Sequence, residues 1–263
     1  MTIVTQIKNK AMKYCKDFTV IENIALTTSF YRLKLQYPET LPEIKAGQFV
    51  EVQMKEGANV LLRRPISIHD VDTSKNQISL LVQIVGKGTK DLSTIKKGES
   101  LNLVFPLGNG FPIIEGKVLL VGGGCGVAPL LYLARVLNQK GIKPHTLIGC
   151  RNAEQLFSQD EYAALSTLHI ATEDGSCGIK GMVTSHPILQ EKFDAIYCCG
   201  PTPMMKALSK HAKEKNIPCY VSLENTMACG VGACLCCVVD TIEGHKCTCT
   251  EGPIFLSTEL KDF

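Results

Sequence analysis

Cysteine is the residue whose placement in this chain could do the most chemistry. Of 13 cysteines in 263 residues, seven fall between Cys219 and Cys249, while the first half of the chain holds only Cys15 and Cys125. In the stretch ENTMACGVGACLCCVV, Cys229, Cys234 and Cys237 have the spacing C-x4-C-x2-C, and Cys247 and Cys249 follow after a strand and turn. A triple of this spacing with a more distant fourth thiolate is one that ligates a [2Fe–2S] cluster. One loop must wrap a compact group and present several thiolates, and Gly230 and Gly232 let the backbone approach and donate N–H groups to the sulfides. Four thiolates would also suit structural zinc. Zinc loops, however, usually pair two C-x2-4-C knuckles, and no second knuckle of that kind stands here. A four-thiolate site leaves cysteines of this segment over; Cys236 lies between ligands, Cys219 stands ahead of the triple, and the spacing does not choose between Cys247 and Cys249.

Two glycine turns offer a second chemistry. VGGGCGVAP, with Gly122, Gly123, Gly124 and Gly126, follows the apolar run KVLLV and opens a helical pattern. There, backbone N–H groups and the helix dipole can hold a pyrophosphate. It is not a G-x-G-x-x-G, because Val127 takes the last position, and no acidic residue stands about twenty residues on to meet a ribose. A standard Rossmann dehydrogenase is therefore a poor fit, and a turn that merely packs helix on sheet is the plain alternative. CCGPTPMM, with Cys199, Gly200 and Pro201, again ends a strand and starts a helix, Pro203 being tolerated in its first turn. Two such loops on one sheet edge frame a ligand crevice. Upstream, LLRRPISI places Arg64, Pro65, Ile66 and Ser67 along one strand, and VGKGTKDL places Gly86, Gly88 and Thr89 after another. A fixed arginine beside glycines and hydroxyls suits a cofactor diphosphate. Alone, that strand reads as a surface strand with a solvated arginine.

These residues need elements to hold them. With 45% hydrophobic and 20% charged residues the chain has an ordinary globular composition, and its length suits two cores. From about Thr19 to Val104 the runs FYRLKLQY, GQFVEVQM and ISLLVQIV alternate with turn clusters, which predicts a small antiparallel Greek-key β-barrel. The passage PLGNGFP marks a boundary. Beyond it KVLLV, HTLIGC, LHIAT and AIYCCG read as strands. Leu130, Leu133, Ala134 and Leu137 recur at helical spacing, and a helix over Thr202 to Lys215 has Met204, Leu208 and His211 or Ala212 on one face. Alternating strands and helices imply a mostly parallel, Rossmann-like sheet. From Glu224 the pattern is lost to Cys and Gly, over a stretch too short for its own core without a staple. The expected units are 1–113, 114–223 and 224–263.

The net charge of +3, with no basic run interleaved with aromatics, gives no support to a nucleic-acid footprint. The opening MTIVTQIKNKAMKYCKDF lacks the apolar core of a leader, and no stretch is apolar for long enough to span a bilayer, so a cytoplasmic protein is expected. In that compartment the cysteines are thiols or metal ligands rather than disulfides.

Taken in order, R-P-x-S and G-x-G-T, then G-G-G-x-G-x-A-P and C-G-P, resemble the ferredoxin-NADP reductase superfamily over Arg64 to Pro201. The tail LENTMACGVGACLCCVV with CTCTEGPIF is similar to one branch, the electron-transfer subunit of dihydroorotate dehydrogenase B. The resemblance implies FAD contacts from Arg64, Pro65, Ile66 and Ser67, from Leu81, Val82 and Gln83, and from Gly88 and Thr89. It implies NAD(H) contacts from Gly122, Gly123, Gly124, Gly126, Cys199, Gly200 and Pro201. It implies a [2Fe–2S] cluster on Cys229, Cys234, Cys237 and Cys249, the last chosen over Cys247 because it stands just before the G-P-I-F turn. It further implies a separate FMN-containing catalytic subunit, two of each in the complex, with electrons passing through the cluster and FAD to NAD+ in pyrimidine biosynthesis.

The three groups make chemical sense together: nicotinamide moves two electrons, an iron–sulfur cluster one, and flavin exchanges both. No Ser-His-Asp, paired-carboxylate or histidine-metal pattern recurs, and hydride transfer needs mainly positioning. Two other readings remain: a reductase subunit of another NAD(P)H-ferredoxin or sulfhydrogenase-type complex, and a non-enzymatic nucleotide module whose tail binds zinc and reports redox state.

Overall fold

The computed structural model describes residues 12–54 and 60–263. The opening eleven residues, on which part of the leader reading rests, lie outside them. The first unit contains β1 (Tyr14–Ala25), β2 (Phe30–Gln36), β3 (Phe49–Val52), β4 (Arg64–Asp72), β5 (Gln77–Gln83), the short helix α1 (Lys87–Leu92) and β6 (Ser100–Leu107). The strands close into an antiparallel barrel in the order β1-β2-β5-β4-β3-β6. Alternation drives the closure: Leu33 and Leu35 of β2, Val50 and Val52 of β3, and Ile78 and Leu80 of β5 are fully buried, with Phe18, Tyr37 and Phe105 packed as an aromatic group.

The second unit follows with β7 (Val118–Gly123), α2 (Leu130–Gln139), β8 (His145–Cys150), α3 (Gln159–Leu165), β9 (Thr167–Thr172), β10 (Ile179–Lys180), β11 (Ala195–Cys199), α4 (Thr202–Glu214) and β12 (Cys219–Ser222). The apolar runs that predicted strands are the centre of this sheet: Val118 to Val121 and Ala195 to Cys199 are at most 1% exposed. Such continuous burial is what a parallel sheet covered on both faces requires. In α4 the buried stripe is Met205, Leu208, Ser209 and Ala212, one step round from the face expected. Met204 turns instead toward the glycine loops, where its Sδ lies 2.7 Å from the Cβ position of Gly123.

The last segment carries β13 (Val238–Thr241), β14 (Gly244–Cys247) and β15 (Ile254–Leu256). β13 and β14 form a hairpin, whereas β15 joins the large sheet antiparallel to β12, giving the order β10-β9-β8-β7-β11-β12-β15. The cysteine-rich tail is thus anchored in the second unit's sheet. It is also clamped to the turn between barrel and sheet: the Asn109 side chain donates to the carbonyls of Glu251 (2.7 Å) and Ile254 (3.2 Å) and accepts from the Ile254 N–H (3.1 Å). Among the described residues no helix is long and apolar enough to cross a membrane.

Candidate functional site: a nucleotide crevice, a flavin edge and a cysteine loop

In the large sheet the strand order reverses direction at β7, whose neighbours are β8 on one side and β11 on the other. Ligands of open α/β sheets bind at such switch points, outside the carboxyl ends of the strands. Both predicted glycine turns emerge there, and they interlock. A Cβ on Gly126 would stand 2.2 Å from the Cys199 carbonyl oxygen and 2.5 Å from the Gly200 nitrogen, so only glycine permits the approach. Gly122 and Gly123 are likewise filled by Val127, Met204 and Pro201. Gly124 differs: it has φ +56°, and a Cβ there would meet none of the described residues within 4 Å, leaving room for a ligand. Most of the glycines therefore serve loop packing, and the open face of the crevice lies at Gly124.

The floor of the crevice holds three groups that the other units complete. The Cys199 thiol lies 3.9 Å from Glu224 Oε1. Burial raises the Glu224 carboxyl above its usual range, with Cys199 opposing, and burial holds Cys199 well above an ordinary thiol. Cys125 is pushed up to about 12, mainly by burial and further by Glu224, while a hydrogen bond with the Gln83 backbone opposes the rise. Both thiols are consequently neutral. Gln83 is the end of β5, so the glycine turn touches the strand assigned to flavin.

Along that flavin edge the structure brings Arg64 and Gly88 together: a Cβ on Gly88 would sit 3.3 Å from Arg64 Nε. Arg64 Nη1 donates to the carbonyls of Leu62 (2.8 Å) and Arg63 (3.2 Å). The Thr89 hydroxyl is already engaged, accepting from the Val85 and Gly86 N–H groups and donating to the Gly86 carbonyl, so it shapes the turn. Pro65, Ile66, Ser67 and Gln83 are half-buried, whereas Leu81 and Val82 are 1% exposed. Leu81 and Val82 can therefore meet a ligand through their backbone. A cofactor diphosphate fits this edge because the arginine is held beside a glycine with no Cβ to block it.

The cysteine loop packs on the outside of β3 and β6. Phe49, Leu107 and Met227 form a small core with Cys237, Cys247 and Cys249. Cys229 Sγ accepts the N–H groups of Val231 (3.4 Å) and Ala233 (3.3 Å), and Cys237 Sγ accepts that of Cys249 (3.4 Å). Desolvation works to raise the Cys229 thiol, but the N–H groups of Val231, Cys234 and Ala233 and the Cys234 side chain together bring it down to about 6. A thiol so placed is readily a thiolate ligand. Cys229 contacts Cys234, and Cys237 contacts both Cys249 and Cys247; among the described residues no three of these thiols stand together as the ligands of one metal ion. Cys249 is also reached by the Gly232 backbone, whereas Cys247 lies against Cys237 and has its N–H held by Glu251 at 2.8 Å. Cys234 and Cys236 are exposed, as are Val231 (43%) and Leu235 (64%).

Three functional candidates carried no sequence signal. Glu51 on β3 is 1% exposed, and neither carboxylate oxygen has a partner among the described residues. It lies under the cysteine loop, its Cγ 2.7 Å from the Cβ position of Gly230. Glu224 and His69 are the others. Each is a lone residue in sequence and gains meaning only from what packs on it.

Comparison with known proteins agrees with this arrangement. A dihydroorotate dehydrogenase B (NAD+) electron transfer subunit of Fusobacterium nucleatum is 38% identical over 257 residues, 94% of this chain and 98% of the relative. The chain belongs to this family. Its members from Lysinibacillus sphaericus and Bacillus cereus are 38% and 39% identical over 90% and 91% of this chain, and 94% and 96% of their own. Family models for an oxidoreductase FAD-binding domain, an oxidoreductase NAD-binding domain and the iron-sulfur cluster binding domain of dihydroorotate dehydrogenase B match residues 17–111, 120–210 and 224–261. Among solved structures, an NADH-dependent reduced ferredoxin-NADP oxidoreductase superposes with a TM-score of 0.84 at 32% identity, over 93% of this chain and 89% of that one. An Amycolatopsis cytochrome P450 reductase shares the fold, with a TM-score of 0.68 at 23% identity over 78% of this chain and 68% of that one. The expected barrel, parallel sheet and iron–sulfur tail are thus all present, with FAD, NAD and Fe–S domains in the expected order.

Proposed function

We propose that this chain is the electron-transfer subunit of an NAD-dependent dihydroorotate dehydrogenase, working in the cytoplasm beside a separate FMN-containing subunit that oxidises dihydroorotate to orotate, two of each in the complex. The observation that carries the reading is the layering of the molecule: the cysteine loop packs on β3, which pairs with the flavin strand β4, and the nucleotide crevice opens against the end of β5. Bound FAD would supply the exchange between two-electron and one-electron chemistry.

The residues of this chain bind, orient and shield. Arg64, Pro65, Ile66, Ser67, Gly88 and Thr89, with the backbone of Leu81 to Gln83, would hold FAD. Gly124 and the interlocked turns of Gly122, Gly123, Gly126, Cys199, Gly200 and Pro201 would seat the nucleotide. Cys229, Cys234, Cys237 and Cys249 would hold the cluster, and the exposed Val231 and Leu235 beside them offer an apolar surface for the partner. The functional units are 1–113, 114–223 and 224–263, the last tied into the second by β15. None of the thirteen cysteines is tied up in a disulfide, which leaves the four assigned to the cluster available as ligands.

The test mixes the anaerobically purified chain, with its flavin and iron confirmed, with the same organism's FMN-containing dihydroorotate dehydrogenase subunit, and follows dihydroorotate-dependent NADH formation. NADH is expected only with both chains. A second reading, the subunit of another NAD(P)H-ferredoxin complex, draws on the similarity to the NADH-dependent reduced ferredoxin-NADP oxidoreductase. It gains if both proteins retain their cofactors yet no NADH forms.

A further inference from the structure

Strand β4 carries the flavin motif at its start and, two residues beyond Ser67, a histidine that no periodicity explains. The pairing of β4 with β5 slips by one between Ile68 and Asp70, so His69 is the extra residue of a bulge. Bulges re-aim side chains and favour the neighbourhood of active sites. Here the slip sends His69 out of the barrel and into the joint with the second unit, where it is 0% exposed. Its Nδ1 lies 2.8 Å from the carbonyl oxygen of Ala128. A carbonyl only accepts, so Nδ1 carries the proton and donates. Nε2 is buried with no partner among the described residues. Burying a polar ring with one nitrogen unsatisfied costs stability, so the other bond must be specific enough to retain it.

Ala128 closes the glycine turn of the nucleotide crevice. The preceding carbonyl, that of Val127, is held from the other side by the Tyr162 hydroxyl at 2.6 Å. The turn is thus pinned at consecutive residues, once from its own unit and once from the flavin strand. The next residue of β4, Asp70, takes Arg135 of α2 in a bidentate pair at 2.8 and 2.7 Å, fixing the direction of the same joint. Within the pinned turn, Cys125 rests against the Gln83 backbone at the end of the other flavin strand.

We propose that His69 is a positioning residue for hydride transfer: its Nδ1–H, given to the Ala128 carbonyl, sets the height of the glycine turn, and so of bound nicotinamide, over the flavin strands. The inference rests on the nucleotide and flavin reading above. The exchange it serves, FADH2 + NAD+ → FAD + NADH + H+ in the direction proposed above and the reverse in the assay below, leaves His69 unchanged. Because transfer depends on the approach of the reacting atoms, a shift of the turn by a fraction of an ångström would slow chemistry more than it weakens binding.

The experiment uses the full chain with its FAD and cluster and compares His69→Asn, His69→Gln and His69→Leu. Asparagine keeps an N–H near the place of Nδ1, glutamine moves it toward that of Nε2, and leucine removes it. Anaerobic stopped-flow mixing with NADH reads the limiting rate of flavin reduction, its half-saturation and the long-wavelength charge-transfer absorbance, with melting temperature alongside. Expected are a limiting rate within about threefold of the unaltered protein for His69→Asn, and about tenfold or more below it for Gln and Leu with a weakened charge-transfer band; half-saturation stays within about threefold throughout. If Leu loses its flavin, the Asn and Gln pair still decides. Equal rates for Asn and Gln, fast or slow, would overturn the proposal. So would lower melting temperatures with unchanged rates and band, or loss of flavin from all three variants. Should NADH fail to reduce the flavin of the unaltered protein, the nucleotide reading itself falls and this inference with it.

Discussion

The glycine turn of the crevice and the glycine-bearing cysteine loop look alike in sequence and are held together differently. In the first, backbone rests on backbone: Gly126 abuts the Cys199 carbonyl, and the consecutive carbonyls of Val127 and Ala128 are pinned by Tyr162 from the same unit and His69 from the barrel. Its shape is complete without a ligand. In the second, Gly230 and Gly232 rest on the side chains of Glu51 and Thr250, two cysteines face solvent, and among the described residues no three thiols are drawn together as the ligands of one metal ion. That loop depends for cohesion on what its thiolates bind. One region is preorganised by packing and the other is completed by a bound group, which suits a buried hydride site and an exposed point of electron entry.

The comparison can be broken most severely at the cysteines. Cys249→Ser and Cys229→Ser should abolish the visible and electron paramagnetic resonance spectra of the cluster, while Cys247→Ser retains them; the reverse between Cys249 and Cys247 would move the fourth ligand. Iron removal by chelation should speed amide hydrogen exchange between Cys229 and Cys249 while the barrel strands stay protected. Uniform loss of protection would show that the whole fold depends on the metal.

Next in size is Gly126→Ala. Its Cβ would meet backbone at 2.2 Å, which no rotamer relieves, so a loss of about 3 kcal/mol and NAD affinity weakened by tenfold or more are expected, the latter read by titration of flavin reduction. Gly124→Ala, with nothing nearby, should cost only about 1–2 kcal/mol for its left-handed backbone.

Glu51 sharpens the contrast between the loops' supports. Burial above all, opposed by Arg63 and Arg64 and reinforced by Cys229, raises its carboxyl from 4.5 to about 7. A carboxyl raised on folding contributes fully below its unfolded value and loses that contribution as pH climbs through the folded one. Glu51→Gln should accordingly gain stability relative to the parent as pH rises from 5 to 8, measured as denaturant midpoints. An offset that does not change with pH would mean that the native carboxyl is ionised. The smallest effect expected is from Asn109→Ala, about 1–2 kcal/mol for the lost ties to the Glu251–Ile254 turn, seen as a lower melting temperature with the cluster spectrum intact.

Local spacing determined a good deal about this protein. Period-two runs, apolar strands and the two glycine turns each depend on residues a few positions apart, and the strands and turns are where the sequence reading puts them. The tertiary structure decided what depends on residues far apart in the chain. β15 belongs to the sheet because Phe255 pairs with Val221. The buried face of α4 is Met205 rather than Met204 because Met204 fills the space beside Gly123. Glu51 matters through Gly230, Glu224 through Cys199, and His69 through Ala128, 59 residues away. Backbone period and ligand spacing are properties of a segment, whereas burial and an unpaired polar atom are properties of whatever lands on it, and no local pattern carries that information.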